Sequence, residues 1–247
     1  MFKYDPPANL LQNKTILVTG ASSGLGKATA LAFASFGATV ILHGKNVDKL
    51  ETLYDEIEDA GYPQPAIIPL DLATATEADF QLLASSIENE FGKLDGIVHN
   101  AAIMPAMMPI QIAPLEEWQK VLQINLTSAF AICRSCLPLL EKGNNPSIIF
   151  TSSTAGKQAF AYSAAYCVSK HGLETLMQVL HQELENTSRI RVNSVNPGPF
   201  ASALRKKTFP GEDQETLLKP EDLTDIYLYL MGNESLDKNG EQFSAQE

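Results

Sequence analysis

Tyr166 and Lys170 stand four residues apart in the stretch AYCVSK, residues 165–170, inside a run with helical apolar spacing. Residues four apart share a helix face, so the phenol and the amine can meet. Two readings are open at this point: a core tyrosine beside a solvated lysine, or a phenol tuned by a cation for proton transfer. A free phenol with a pKa of about 10 is a poor acid–base partner near neutrality. An ammonium about 4 Å away, at an effective dielectric of about 20, contributes roughly 4 kcal/mol, or about three pKa units. That is enough to bring the phenol into range.

A second run with chemical content is TGASSGLG, residues 19–26, with glycines at 20, 24 and 26 around Ser22, Ser23 and Leu25. It follows a β-rich run, KTILVTG (14–20), and opens a helical one, GLGKATALAFASFG (24–37). Glycine allows the tight turn and close backbone approach, and the free amides of the helix start favour an anion. In this context the run predicts a dinucleotide pyrophosphate site.

The elements that must position these groups alternate along the chain. Strands are predicted at 38–44, 66–71, 94–100, 147–153 and 189–198, with a weak last one near 241–244. Helices are predicted at 46–60, 75–92, 115–140 and 163–186, and a short one starts near Lys219-Pro220-Glu221-Asp222. Strand–helix alternation with uniformly apolar strands predicts one α/β domain over the 247 residues, with its core at about 13–244. The expected fold is Rossmann-type and doubly wound, a mostly parallel seven-stranded sheet with helices on both faces. Ligands in such sheets sit beyond the C-terminal strand ends, where this sequence clusters its polar and glycine-rich residues.

Composition narrows the function classes. A net charge of −11, with no basic stripe, argues against nucleic-acid binding, and Arg205-Lys206-Lys207 reads as a solvated surface patch. No apolar run suggests a secretory signal or a membrane span. Three cysteines form no even disulfide framework, which points to a cytoplasmic address. The Cys133–Cys136 pair lies in an apolar helical run with no second ligand pair nearby, so core thiols are expected and no metal.

Taken in order, the glycine run, His99-Asn100-Ala101-Ala102, Ser153, AYCVSK and Asn196-Pro197-Gly198 resemble the short-chain dehydrogenase/reductase family over nearly the whole chain. The resemblance implies hydride transfer between a nicotinamide cofactor and a carbonyl or alcohol. It assigns Tyr166 as general acid/base, Ser153 as the group that holds the substrate oxygen, and Lys170 as the cation that tunes the phenol and bonds the nicotinamide ribose. Asn125 takes the fourth catalytic position, holding a water that links Lys170 to solvent. It further implies that Asp71 and Leu72 flank the adenine, that Asn100 and Ala101 line the cofactor, and that Pro197, Gly198 and Ser202 cover it. Ala102 stands where the family usually has glycine, which leaves the geometry of that loop open. His99 is read as structural.

The family selects its cofactor after the second strand, where an acidic residue would accept from a ribose 2′-hydroxyl and repel a 2′-phosphate. Here that segment is His43-Gly44-Lys45-Asn46, with no carboxylate and a lysine positioned as a point charge. NADP(H) is therefore expected over NAD(H). The substrate loops would be 103–114, 154–164 and 199–214; their methionines and phenylalanines either line an apolar, adaptable pocket or pack the loops on the core. The expected partner is a small-molecule ketone, aldehyde or alcohol, on a chain that forms a homo-oligomer, a dimer or tetramer, through its two long helices. The competing reading is a catalytically silent NADP(H)-binding sensor or scaffold, which has no need of the set Asn125, Ser153, Tyr166 and Lys170.

Overall fold

A computed structural model describes residues 1–246. The first βαβ unit is built from Thr15–Thr19 (β1), Gly24–Ser35 (α1) and Thr39–Gly44 (β2). Every residue of TILVT in β1 is buried, as a strand covered on both faces requires. Val47–Asp59 (α2), Ala66–Pro69 (β3), Glu77–Phe91 (α3) and Gly96–His99 (β4) complete the first half. The second half runs through Leu115–Leu122 (α4), Ser128–Leu140 (α5), Ser147–Thr151 (β5), Ala164–Leu184 (α6) and Arg191–Asn196 (β6). Ala203–Thr208 (α7), Asp225–Met231 (α8) and Gln242–Ser244 (β7) follow.

The seven strands lie in the order β3-β2-β1-β4-β5-β6-β7, and all six pairings are parallel. The winding therefore reverses between β1 and β4, which opens a crevice at their C-terminal ends. Successive residues of a strand point to opposite faces, and the core divides accordingly. Val18 and Leu42 pack with Phe33 of α1 and Leu230 of α8 on one side. Leu17 and Ile41 pack with Ile87, Ile132 and Leu173 of α3, α5 and α6 on the other.

Two elements differ from the sequence expectation. The helix expected over 115–140 is interrupted by a π turn at Gln123–Thr127, which carries Asn125. Such turns shift the following side chains around the helix axis and recur at functional positions. The substrate loop 199–214 contains α7, whose only apolar residues, Ala203 and Leu204, give no periodic signal to read. Pro138 lies near the end of α5, as expected.

Candidate active site

The crevice is a cavity of about 800 Å³, at the upper end of the range for cofactor and substrate pockets. It joins the glycine loop to the start of α6, so Gly20, Ser22, Ser23, Gly24 and Leu25 share one wall system with Tyr166 and Lys170. Gly20 and Gly24 hold φ values of +68° and +53°, in the left-handed region that favours glycine. Gly26 does not line the cavity. It lies under the loop, where a Cβ would collide with the Gly20 carbonyl and come within 2.5 Å of Asn100 Nδ2. No side chain caps the start of α1, so its first amides remain available to an anion.

Thr19 ties the ends of β1 and β4 together. Its hydroxyl accepts from the amides of Asn100 (3.0 Å) and Ala101 (3.1 Å), and its carbonyl accepts from Asn100 Nδ2 at 3.2 Å. Asn100, Ala101 and Ala102 all line the cavity. Ala102 is not among the residues with positive φ, so alanine in place of glycine carries no backbone strain there.

At the adenosine end, Asp71 and Leu72 line the cavity, and one Asp71 carboxylate oxygen accepts from Ala73 N at 3.0 Å. Lys45 is exposed on the cavity wall at the end of β2. Ser22 lines the same cavity, its Oγ 3.4 Å from where a Cβ on the neighbouring Gly44 would stand. Asn46 departs from the expectation: its side chain accepts from Lys49 N at 2.9 Å as the N-cap of α2, and it does not line the cavity. Helix initiation has claimed it.

His43 lines the same region, fully buried, and neither ring nitrogen has a protein partner among the described residues. An orphaned buried polar group beside an open cavity fits a polar ligand, and with the free amides of α1 it matches a dinucleotide. His99, by contrast, is structural: it stacks on Phe150 at 4.8 Å and pairs its Nε2 with Cys133 Sγ at 3.1 Å. Burial pushes the pKa of His43 down to about 4 and that of His99 to about 3. Both rings stay neutral in the fold and bind a proton readily once unfolded. Stability is therefore lost as the pH falls below the ordinary histidine value, with about 3 kcal/mol expected from His43 alone. Chemical denaturation of the ligand-free chain from neutral to mildly acidic pH measures it, and His99→Phe should flatten part of the slope.

The residues expected to carry the chemistry converge at the end of β5 and the start of α6. Ser153 caps the short turn Thr154–Gly156, accepting from Ala155 N at 3.1 Å, and lines the cavity together with Tyr166. Lys170, buried, donates to the Thr151 carbonyl at 2.7 Å and lies 5.8 Å from the centre of the Tyr166 ring. The expected electrostatic tuning is not what this arrangement delivers. Burial holds the Tyr166 pKa above its ordinary value, against the lowering effect of the Ser153 hydrogen bond. Burial likewise brings Lys170 down to about 8, opposed by the carboxylate of Glu174. Desolvation of the phenol is the larger effect.

Asn125 does not line the cavity. Its Oδ1 accepts from Ile103 N at 2.8 Å, and its Nδ2 donates to Ile103 O at 2.9 Å and Ser169 Oγ at 3.1 Å. Both amide protons are thus committed, and the side chain pins the loop after β4 to α6 rather than holding a water with them. Pro197, Gly198 and Ser202 line the far wall, with Gly198 at φ +70° and Ser202 capping α7 by accepting from Arg205 N at 3.2 Å.

Of the substrate loops, Ile103, Met104, Met107, Phe160, Phe200 and Phe209 line the cavity. Arg205 lines it as well and is not the free surface residue the sequence suggested; it is ion-paired with Glu212. Two further participants escaped the sequence reading: the Thr151 carbonyl that fixes Lys170, and Glu174. The latter had a signal, since it follows Lys170 by one helical turn. Cys133 and Cys136 are buried free thiols with pKa values raised by burial, and no metal-binding cluster exists among the described residues.

A parallel sheet with a glycine loop at its switch point and a tyrosine–lysine pair in the same crevice defines a Rossmann-type dehydrogenase. The chain belongs to the short-chain dehydrogenase family, whose "short chain dehydrogenase" model matches residues 14–213. It is 41% identical to an uncharacterized oxidoreductase, YciK, of Escherichia coli strain K12, covering 98% of this chain and 96% of that one. A Shigella flexneri short chain dehydrogenase solved in complex with NADP superposes with a TM-score of 0.95 at 41% identity, covering 98% of this chain and all of that one. An Escherichia coli CFT073 relative solved with NADPH gives the same TM-score, identity and coverage. No helix among the described residues is long and apolar enough to cross a membrane.

Proposed function

We propose that the chain is an NADP(H)-dependent oxidoreductase acting on a small carbonyl or alcohol substrate, with Tyr166 as general acid/base. The observation that carries this reading is that Tyr166, Ser153 and Lys170 share one cavity with the anion-ready glycine loop. Lys45 and Ser22 would hold a 2′-phosphate, the amides at the start of α1 the pyrophosphate, and Asp71 and Leu72 the adenine. NADP in a relative 41% identical to this chain supports the choice over NAD. The cofactor supplies hydride to, or accepts it from, the substrate carbon.

The chain's own residues handle the proton. With its pKa raised by burial, Tyr166 keeps its hydrogen at neutral pH and is a donor. In reduction the phenol hydrogen-bonds the substrate oxygen and passes its proton as negative charge develops there. The Ser153 hydroxyl gives that oxygen a second partner, and the Lys170 ammonium, fixed by the Thr151 carbonyl, stabilises the phenolate left behind. Alcohol oxidation needs the phenolate at the outset, so reduction is the favoured direction near neutrality. Asn125 acts by anchoring the loop at Ile103.

Apolar Phe130 on α5 and Val168 and Val179 on α6 are about half exposed, which supports pairing with a second copy through those helices. Three buried free thiols suit a reducing cytoplasm.

The test is NADPH consumption across aldehydes, ketones and quinones, with NADH in parallel; silence on every carbonyl would leave a cofactor-binding sensor. On the best substrate, kcat/KM for reduction should hold from mildly acidic to neutral pH and fall above about 8, where Lys170 loses its proton. A reduction limb that stayed level far above that value would remove Lys170 from the role.

A further inference from the structure

The six-residue helix α7 carries three consecutive cations, Arg205-Lys206-Lys207, in a chain of net charge −11. Lys206 and Lys207 are exposed, whereas Arg205 lines the cavity that contains Tyr166, its guanidinium 4.9 Å from the centre of the Phe209 ring. That guanidinium already grips a carboxylate. Nε donates to Glu212 Oε2 at 2.5 Å and Nη2 to Oε1 at 2.6 Å, the two-pronged geometry that only an arginine fork provides.

Glu212 comes from the loop just beyond α7 and does not line the cavity. Its carboxylate has no other hydrogen-bond donor among the described residues. The pair remains open to water, with 24% of the Arg205 side chain and 30% of the Glu212 side chain exposed. At this exposure water screens the pair, so a second carboxylate can compete with Glu212 for the fork. The Arg205 charge also reaches the reacting phenol, where it lowers the Tyr166 pKa. A cation on the wall of an otherwise apolar substrate pocket, matched to a carboxylate that can leave, is a recognition element.

We infer that Arg205 anchors a carboxylate on the substrate, and that Glu212 occupies this anchor until the substrate displaces it. The inference rests on the carbonyl-reductase reading and narrows its substrate class to oxo-acids, carbonyl compounds that carry a carboxylate. Lys206 and Lys207 then supply a local positive field that draws such anions toward a molecule that otherwise repels them.

The experiment uses 4-formylbenzoate and straight-chain aldehyde-acids, each beside its methyl ester. Calorimetric binding to the full chain with NADP⁺ bound needs no turnover, and NADPH oxidation runs in parallel. The best acid should bind at least about ten-fold more tightly than its ester, an advantage that falls with added salt. Arg205→Ala should bring the ratio to about one, and Arg205→Lys should leave it between, since charge remains but the fork is lost. Glu212→Gln should tighten acid binding by about three-fold or more, because the internal competitor is gone.

Equal binding of acid and ester, or discrimination that survives Arg205→Ala, overturns the inference. So does an Arg205→Ala loss that falls on NADPH affinity and not on the acid-to-ester ratio, which would make Arg205 a cofactor residue. Reduction of neutral carbonyls with no acid preference would leave the oxidoreductase reading standing without this anchor. Acid-selective binding with no carbonyl reduced would do the reverse.

Discussion

Tyr166→Phe is expected to lower turnover on the best carbonyl substrate by about a hundred-fold or more, with NADPH affinity close to that of the parent chain. The substitution removes one oxygen and keeps the ring, so the half-buried aromatic still packs at the start of α6. What disappears is the proton donor on the cavity wall beside Ser153. Lys170 remains held by the Thr151 carbonyl at 2.7 Å, which keeps that part of the cofactor wall in place. The loss should therefore fall on the chemical step. Single-turnover NADPH oxidation reads that step, and titration of cofactor fluorescence reads binding. Turnover like that of the parent chain would remove Tyr166 as the acid, and matched losses in both would make it a binding residue.

The fold was legible because its signals are local and repeated. TILVT in β1 and SIIFT in β5 are apolar throughout, and the structure buries every residue of both between helical layers. The glycine spacing carried its own reasons, as Gly20 and Gly24 adopt left-handed φ and Gly26 has no room for a Cβ. What the sequence could not carry was competition for a side chain. Asn46 reads as a cofactor residue with Lys45, yet its side chain is held as the cap of α2 by Lys49 N. Asn125 reads as a polar group free to hold water, yet a π turn aims it at both backbone groups of Ile103.

The phenol's pKa failed for a related reason. Spacing alone says that Tyr166 and Lys170 are neighbours, but not that burial raises the pKa of the first and lowers that of the second. Arg205 was misplaced because its contacts, the Glu212 carboxylate and the Phe209 ring, are made only once the loop has folded and set the guanidinium on the cavity wall.

Lys45→Glu carries the second large effect: NADPH affinity should fall by about a hundred-fold relative to NADH affinity. Lys45 stands exposed at the end of β2, the Ser22 hydroxyl lies against the preceding Gly44, and no carboxylate occupies residues 43–46. A 2′-phosphate there would meet one cation and one hydroxyl, without the planar fork of an arginine. At the surface, removing that cation costs about 1 to 2 kcal/mol, and an anion in its place adds a similar repulsion. Together these correspond to roughly two decades in affinity. NADH has no phosphate at this position, and the new carboxylate could accept from its 2′-hydroxyl, so its binding should hold or improve. The same reasoning makes the NADPH preference of the parent chain weaken as salt is added. Parallel fluorescence titrations of the two cofactors, at low and high salt, measure both effects. Equal losses for NADPH and NADH would place the selectivity elsewhere on the cavity wall.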